Sequence, residues 1–166
     1  GRYARAVLAD TLGYAASLVP AIADTVPAVD EAMRLGYNWR WGPFELIDRI
    51  GARRFAESLQ AEDRPVPPLL ALAAEAGGFY RVEGGRLRHL AVEGGYRDVE
   101  RPEGVLLLAD VKRASAGPLL KNGSAALWEV GDGVTCFEVT TKANALDPEV
   151  MTLLGEAMTL TGRSYR

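Results

Sequence analysis

The residue types that most often carry chemistry are sparse in this sequence. Its single histidine, His89, sits in Leu87-Arg88-His89-Leu90 between two turn signals, Glu83-Gly84-Gly85 and Glu93-Gly94-Gly95. No serine and acid are placed to complete a nucleophilic set with it, so His89 is expected to be a solvated strand residue. Its single cysteine, Cys136, alternates with Val134 and Glu138 and has no base or helix start beside it in sequence to activate the thiol, which predicts an inert strand position. With one Cys and one His, no pair exists at metal-ligand spacing and no internal disulfide forms. The acid pairs Asp30 with Glu31 and Glu45 with Asp48 fall in the first turns of expected helices, where capping and dipole complementarity account for them without proton transfer. Tyr37, Trp39, Trp41 and Phe44 form an aromatic cluster that suits either a ligand groove or a packing interface, and the interface is the preferred reading. There is no Gly-x-Gly-x-x-Gly after a strand and no phosphate loop.

The elements that must position these residues change character along the chain. Residues 3–23 are rich in Ala, Leu and Val at mixed three and four spacing, interrupted by Pro20, and read as one long or two short helices. Thr25 reads as an N-cap with Pro27 in the first turn and Val26, Val29 and Met33 on one face, until Gly36 ends the helix. Gly42-Pro43 starts the next, in which Phe44, Ile47 and Ile50 share a face before Gly51. One further helix carries Phe55 and Leu59. Another begins at Pro67-Pro68, carries Leu69 and Leu72, and closes at Gly77-Gly78. From Phe79 the pattern becomes a three-stranded meander turning at the two Gly-Gly pairs. Residues 100–118 read as a connector with one apolar run, Val105 to Leu108, expected as a strand or as a segment lying along a surface. Ala126 to Val130, the turn Gly131-Asp132-Gly133 and Val134 to Thr140 read as a hairpin, and Asp147-Pro148 caps a helix carrying Val150, Leu153, Leu154 and Ala157.

The predicted fold is therefore mainly α: a helical bundle over 1–78, a meander and connector over 79–118, and an incomplete α/β start of strand, strand and helix over 119–166. A chain of 166 residues that is 48% hydrophobic and 25% charged buries a real core. Its net charge of −3 and scattered arginines (Arg34, Arg40, Arg49, Arg53, Arg54, Arg64) give no concentrated positive field, which argues against nucleic acid as a partner. No apolar run approaches the roughly 20 residues of a membrane span and no signal segment opens the chain, so the expected address is the cytoplasm. The start at Gly1 without an initiator methionine, and the cap-and-restart sequence Thr161-Gly162-Arg163-Ser164-Tyr165-Arg166, suggest a segment of a longer protein.

Two stretches carry a family resemblance. Val29-Asp30-Glu31-Ala32-Met33-Arg34-Leu35-Gly36, then Trp41-Gly42-Pro43-Phe44-Glu45-Leu46-Ile47-Asp48 and Gly51, resemble the C-terminal helical domain of L-3-hydroxyacyl-CoA dehydrogenases. The stretch from Trp128-Glu129-Val130-Gly131-Asp132-Gly133-Val134 through Thr141-Lys142-Ala143-Asn144-Ala145-Leu146-Asp147 is similar to the opening of crotonase-family enoyl-CoA hydratases. Together they imply a fused fatty-acid β-oxidation protein that oxidises L-3-hydroxyacyl-CoA with NAD and hydrates enoyl-CoA. In the family the catalytic His and Glu lie in the nucleotide-binding domain and a substrate-binding Asn opens the catalytic helical copy. Ala9 to Ser17 has no Asn, so the resemblance implies the second, non-catalytic copy, with no catalytic residue and no cofactor of its own.

NAD and the CoA thioester then belong to the parent. The implied partners are its preceding NAD-binding and first helical domains, its following crotonase domain and, through them, acyl-CoA. Met33, Gly36, Trp39, Trp41, Gly42, Pro43, Phe44, Glu45 and Asp48 become domain-interface or structural residues. Lys142, Asn144 and Ala145 become the candidate CoA contacts, although Asn and its neighbours also suit a plain strand-to-helix turn. The competing functional class is a free-standing interaction or acyl-carrier-binding module that docks through Trp39 and Trp41. A severed crotonase start would leave strand edges and a helix face uncovered, so residues 119–166 are expected to dock on the helical module or a neighbour, or to swap between chains.

Overall fold

The structure is a computed structural model that describes residues 1–164, and its chain forms two compact units. The first comprises Gly1–Glu83 and Leu87–Glu100, the second Gly84–Arg86 and Arg101–Arg166.

The first unit is built from five helices and a small sheet. Helix α1 (Arg2–Ser17) is one continuous helix that ends before Pro20, where a further turn would clash. Helix α2 (Val26–Tyr37) begins at Thr25, whose hydroxyl accepts the Ala28 N–H, with Pro27 in its first turn. It runs past Gly36 and ends at Asn38, which takes the left-handed conformation at φ 55° and gives its N–H to the Met33 carbonyl. The expected stop at Gly36 is thus displaced by two residues, because asparagine tolerates that conformation well enough to close a helix.

Helices α3 (Pro43–Ile50) and α4 (Ala52–Ala61) are separated by Gly51 at φ 95°. Helix α5 (Pro68–Ala76) closes at Gly77, φ 94°. Their apolar faces meet in one core that includes Leu12, Val26, Phe44, Ile47, Leu59, Leu70, Phe79 and Leu90, each nearly or wholly out of water. Burying a side chain of this size stabilises the fold by roughly 1.5–3 kcal/mol. Phe44 and Phe79 contact each other as tilted rings, centroids 4.7 Å apart. Strands β1 (Tyr80–Glu83), β2 (Arg86–Leu90) and β3 (Tyr96–Asp98) form the expected meander in the order β1-β2-β3, with Leu90 opposite Tyr96.

In the second unit the apolar run of the connector forms no strand. Val105 to Leu107 are exposed, and Leu108 opens a short helix, α6 (Leu108–Ala114). Asp110 in its first turn and Lys112 and Arg113 in its last complement the helix dipole, a signal that the apolar run masks. Strands β4 (Leu120–Lys121), β5 (Ala125–Gly131) and β6 (Val134–Val139) form an antiparallel sheet in that order, β4 being too short to show as a pattern. A 3-10 turn at Lys142–Asn144 leads to α7 (Pro148–Ser164), which lays Val150 and Leu153 against the sheet beside Ala125, Phe137 and Val139, and Ala157 is buried as well.

Candidate functional site

A dense polar arrangement surrounds helix α3. A helix start leaves its first amides without backbone partners, and these are normally taken by the side chain of the N-cap residue. Here the N-cap is Gly42, which has none. The carboxylate of Asp30 reaches across from α2 instead: the Phe44 N–H donates to Asp30 Oδ1 at 2.8 Å and the Glu45 N–H to Oδ2 at 3.2 Å. A β-carbon on residue 42 would sit 2.2 Å from Asp30 Oδ1, so only glycine admits this carboxylate. Glu45 completes the turn by accepting the Gly42 N–H at 2.8 Å, and it pairs with Arg34 of α2.

The far end of α3 is held in the same manner. Asp48 accepts the Phe79 N–H at 2.7 Å and the Tyr80 N–H at 2.8 Å, which pins the start of β1. Tyr80 closes the loop, because its hydroxyl donates to Asp30 Oδ2 at 2.8 Å. Tyr96 supports the same corner from β3 by donating to the Gly78 carbonyl at 2.6 Å. Helix α3 is thereby clamped between α2 and β1 through two carboxylates that receive five hydrogen bonds.

Electrostatics follow from burial. Asp30 has no exposure to water, and loss of hydration pushes its carboxyl up to about 6; the charge on Glu45 adds to this, while the bonds from Phe44 and Tyr80 oppose it. Burial likewise raises Asp48. Tyr80 is driven well above the ordinary phenol value by burial and then by the Asp30 charge, so it stays a hydrogen-bond donor. Two grooves lie elsewhere: one of 370 Å³ is lined by Tyr14, Leu59, Arg64 and Pro65–Pro68, and a second of 210 Å³ by residues of α4 and α5 with Val66.

Of the residues singled out from sequence, Gly42, Pro43, Phe44, Glu45 and Asp48 come together in this clamp. Phe44 belongs to the central core and not to an exposed aromatic surface, because α3 turns it inward against Phe79. Trp41 is half-buried with the guanidiniums of Arg40 and Arg49 at 4.5 and 4.0 Å from its ring, Trp39 is half-buried, and Tyr37 is exposed. Met33 supplies the carbonyl that caps α2, and Gly36 is an exposed helical position.

The reading of Asp30 as a charge serving its own helix is corrected. Asp30 lies four residues after Val26, on the buried face, where a dipole role has no reach and a trans cap does. That spacing was the available signal; Tyr80 and Gly78 had none. His89 is also corrected: it is 6% exposed, and its Nδ1 lies 3.1 Å from the Leu90 carbonyl. The face of β2 that carries it is covered, which the alternation of a short strand could not disclose. Lys142, Asn144 and Ala145 form an exposed turn in which Ala143 and Asn144 are both left-handed, at φ 58° and 54°, tied by the Thr141 hydroxyl to the Ala145 carbonyl at 2.7 Å. Among the described residues no cluster of His, Cys, Asp or Glu suits a metal ion, and no helix is long and apolar enough to cross a membrane.

A small helical bundle closed by a three-stranded meander, with its central helix clamped by buried acids, makes up the first unit. Residues 1–97 match the C-terminal domain of 3-hydroxyacyl-CoA dehydrogenase, and the chain belongs to that family. A Bacillus subtilis protein assigned by name to the 3-hydroxyacyl-CoA dehydrogenases is 32% identical over 168 residues, covering 100% of this chain and 21% of that protein. Proteins of Rickettsia felis and Rickettsia prowazekii named for a fatty acid oxidation complex trifunctional enzyme are 28% and 24% identical, over 95% of this chain and 19% of each relative. The chain thus spans about a fifth of the length of these relatives, and the similarity runs past the family match into the second unit. No solved structure matches it significantly.

Proposed function

We propose that this chain is the non-catalytic helical copy and connector of a multifunctional fatty-acid β-oxidation protein. The parent oxidises L-3-hydroxyacyl-CoA to 3-oxoacyl-CoA with NAD and hydrates enoyl-CoA in a crotonase-like domain whose first elements are β4, β5, β6 and α7. The observation that carries this reading is the complete use of the α3 acids in structure. Asp30 and Asp48 each hold two backbone amides and Glu45 holds a fifth, with none free to move a proton on a substrate.

The residues do not fit a nicotinamide dinucleotide. Gly84-Gly85 and Gly94-Gly95 lie in the turns of the meander, not between a strand and a helix start where a pyrophosphate would sit. NAD is therefore assigned to a preceding domain of the parent. For the CoA moiety, Lys142 is an exposed cation at the turn before α7 and would hold a phosphate, with Asn144 and Ala145 beside it. On α1, Tyr3, Val7 and Tyr14 share one exposed face, the tyrosines 84% and 67% exposed, which suits packing against the first helical copy in the cytoplasm of a bacterial cell.

The test is NADH consumption with acetoacetyl-CoA, run on this chain and on the full-length parent. An active parent and an inert 166-residue chain support the assignment. Turnover by this chain alone would overturn it, and an inert parent would remove the dehydrogenase reading altogether.

A further inference from the structure

Helix α6 lies on the sheet of the second unit without being built into a core. Side chains alternate across a strand, so α7 takes the face that carries Ala125, Phe137 and Val139. The register leaves Ala126, Trp128, Cys136 and Glu138 on the other face. Ala126 is 2% exposed there, and Trp128, Cys136 and Glu138 are half-buried. The helix that reaches these residues is α6. None of its own residues is buried, and Leu108 and Val111 are only half-buried.

Its grip is a polar knot made by one side chain. Lys112 Nζ pairs with Glu138 Oε1 and stands 5.3 Å from the centre of the Trp128 ring, while Trp128 Nε1 donates to Glu138 Oε2 at 3.0 Å. The ammonium thus meets a carboxylate and an aromatic ring that the same carboxylate holds in place. The Lys112 and Glu138 side chains are 36% and 23% exposed, so dissolved ions reach the pair and screen it.

The segment that carries Lys112 is stapled to itself. Asp110 accepts from Arg101 Nε at 2.8 Å and from Arg101 Nη2 at 3.3 Å, and it pairs with Arg113 one turn on. Residues 101–113 are tied into one piece by these bonds, whereas residues 102–107 and 114–117 are exposed.

We propose that residues 101–114 form a salt-releasable strap over the outer face of β5 and β6, fastened by Lys112 to Glu138 and Trp128. Its release uncovers that face, Cys136 included, while the sheet and α7 stay folded. A helix of seven residues does not persist in water once detached, so release and melting of α6 are one event. The opening is local because the apolar cluster of Ala125, Val150 and Leu153 lies on the opposite face and loses nothing when the strap lifts. The inference stands on the second unit alone and does not depend on the parent enzyme.

Cys136 is the only cysteine of the chain, so alkylation by iodoacetamide, an uncharged reagent, reads the uncovering at one atom. At fixed pH the wild-type rate should rise at least about threefold between about 20 mM and 1 M sodium chloride. Lys112→Met and, separately, Glu138→Gln should raise the rate by a similar factor at low salt and remove its salt dependence. The glutamine keeps an acceptor for Trp128 Nε1, which separates loss of the charge from loss of the ring's own bond. Amide exchange gives a second reading. The Val111 and Ser115 amides, bonded to the Leu107 and Val111 carbonyls, should accelerate together with alkylation, and those of Ala126 and Trp128 in β5 should not. A wild-type rate indifferent to salt, or variants that alkylate like wild type, would overturn the proposal. So would β5 amides that accelerate in step with those of α6, because the whole unit would then be opening.

Discussion

Asp30 concentrates the physical tension of the first unit: a carboxylate with no water contact, held by the Phe44 and Glu45 amides and the Tyr80 hydroxyl. Its folded pKa near 6 lies above the ordinary 3.8. A raised acid favours the folded chain most when protonated, so its contribution is fully present below the unfolded value and is lost as pH rises through the folded one. The shift corresponds to roughly 2–3 kcal/mol lost between about pH 4 and pH 7. Urea unfolding of wild type and Asp30→Asn across that range should show the difference in stability moving toward the variant as pH rises. Parallel curves would mean that Asp30 titrates as an ordinary acid. Gly42→Ala is a harsher change, since the added carbon meets Asp30 Oδ1 at 2.2 Å. It should cost at least about 2 kcal/mol by the same measurement, through overpacking and a displaced cap.

At the scale of elements, Asp48 is the link between α3 and β1. Asp48→Ala leaves two amides at the edge of the core without acceptors, and about 2–3 kcal/mol of stability should go with them. Amide exchange locates the loss: Phe79 and Tyr80 should accelerate more than the interior amides of α4, whereas a uniform acceleration would deny the link. In the second unit Asp147 caps α7 by accepting the Val150 N–H at 2.9 Å, and the Ser124 hydroxyl donates to it at 2.6 Å. That donation comes first among the causes that hold its carboxyl below the ordinary range. Asp147→Ala should lower stability and shorten α7 from its first turn, read by faster exchange of the Val150 amide.

These elements differ in how far the sequence disclosed them. The starts of α2, α3 and α7 were legible because a cap and a proline stand within three residues of each other. The Asp30 cap was not, since its amides lie fourteen and fifteen residues away and the carboxylate rises from the middle of another helix. Helix α6 was hidden for the opposite reason: Val105 to Leu108 is a short apolar run, and such runs do not distinguish strand from helix. Lys142, Asn144 and Ala145 were legible as a turn; that the turn holds two left-handed residues in succession, one of them alanine, comes only from the folded backbone.

For the molecule as a whole, the division of the core decides what can stand alone. The cluster from Ala9 to Leu90, with Tyr96 against it, lies within residues 1–100, whereas the cluster around Ala125, Val150 and Leu153 lies beyond residue 101. Among the described residues the first holds sixteen buried residues and the second three, so they differ in the free energy that burial supplies. A chain ending at Glu100 keeps the α3 clamp, the meander and the Phe44–Phe79 contact intact. It should unfold in urea in a single cooperative transition with helical circular dichroism. A chain beginning at Arg101 has a much smaller core and should unfold at lower urea, with a shallower slope in keeping with the smaller surface it exposes. If the shorter first chain instead loses cooperativity, residues beyond 100 are part of its folding unit, and the meander is not the end of the helical domain.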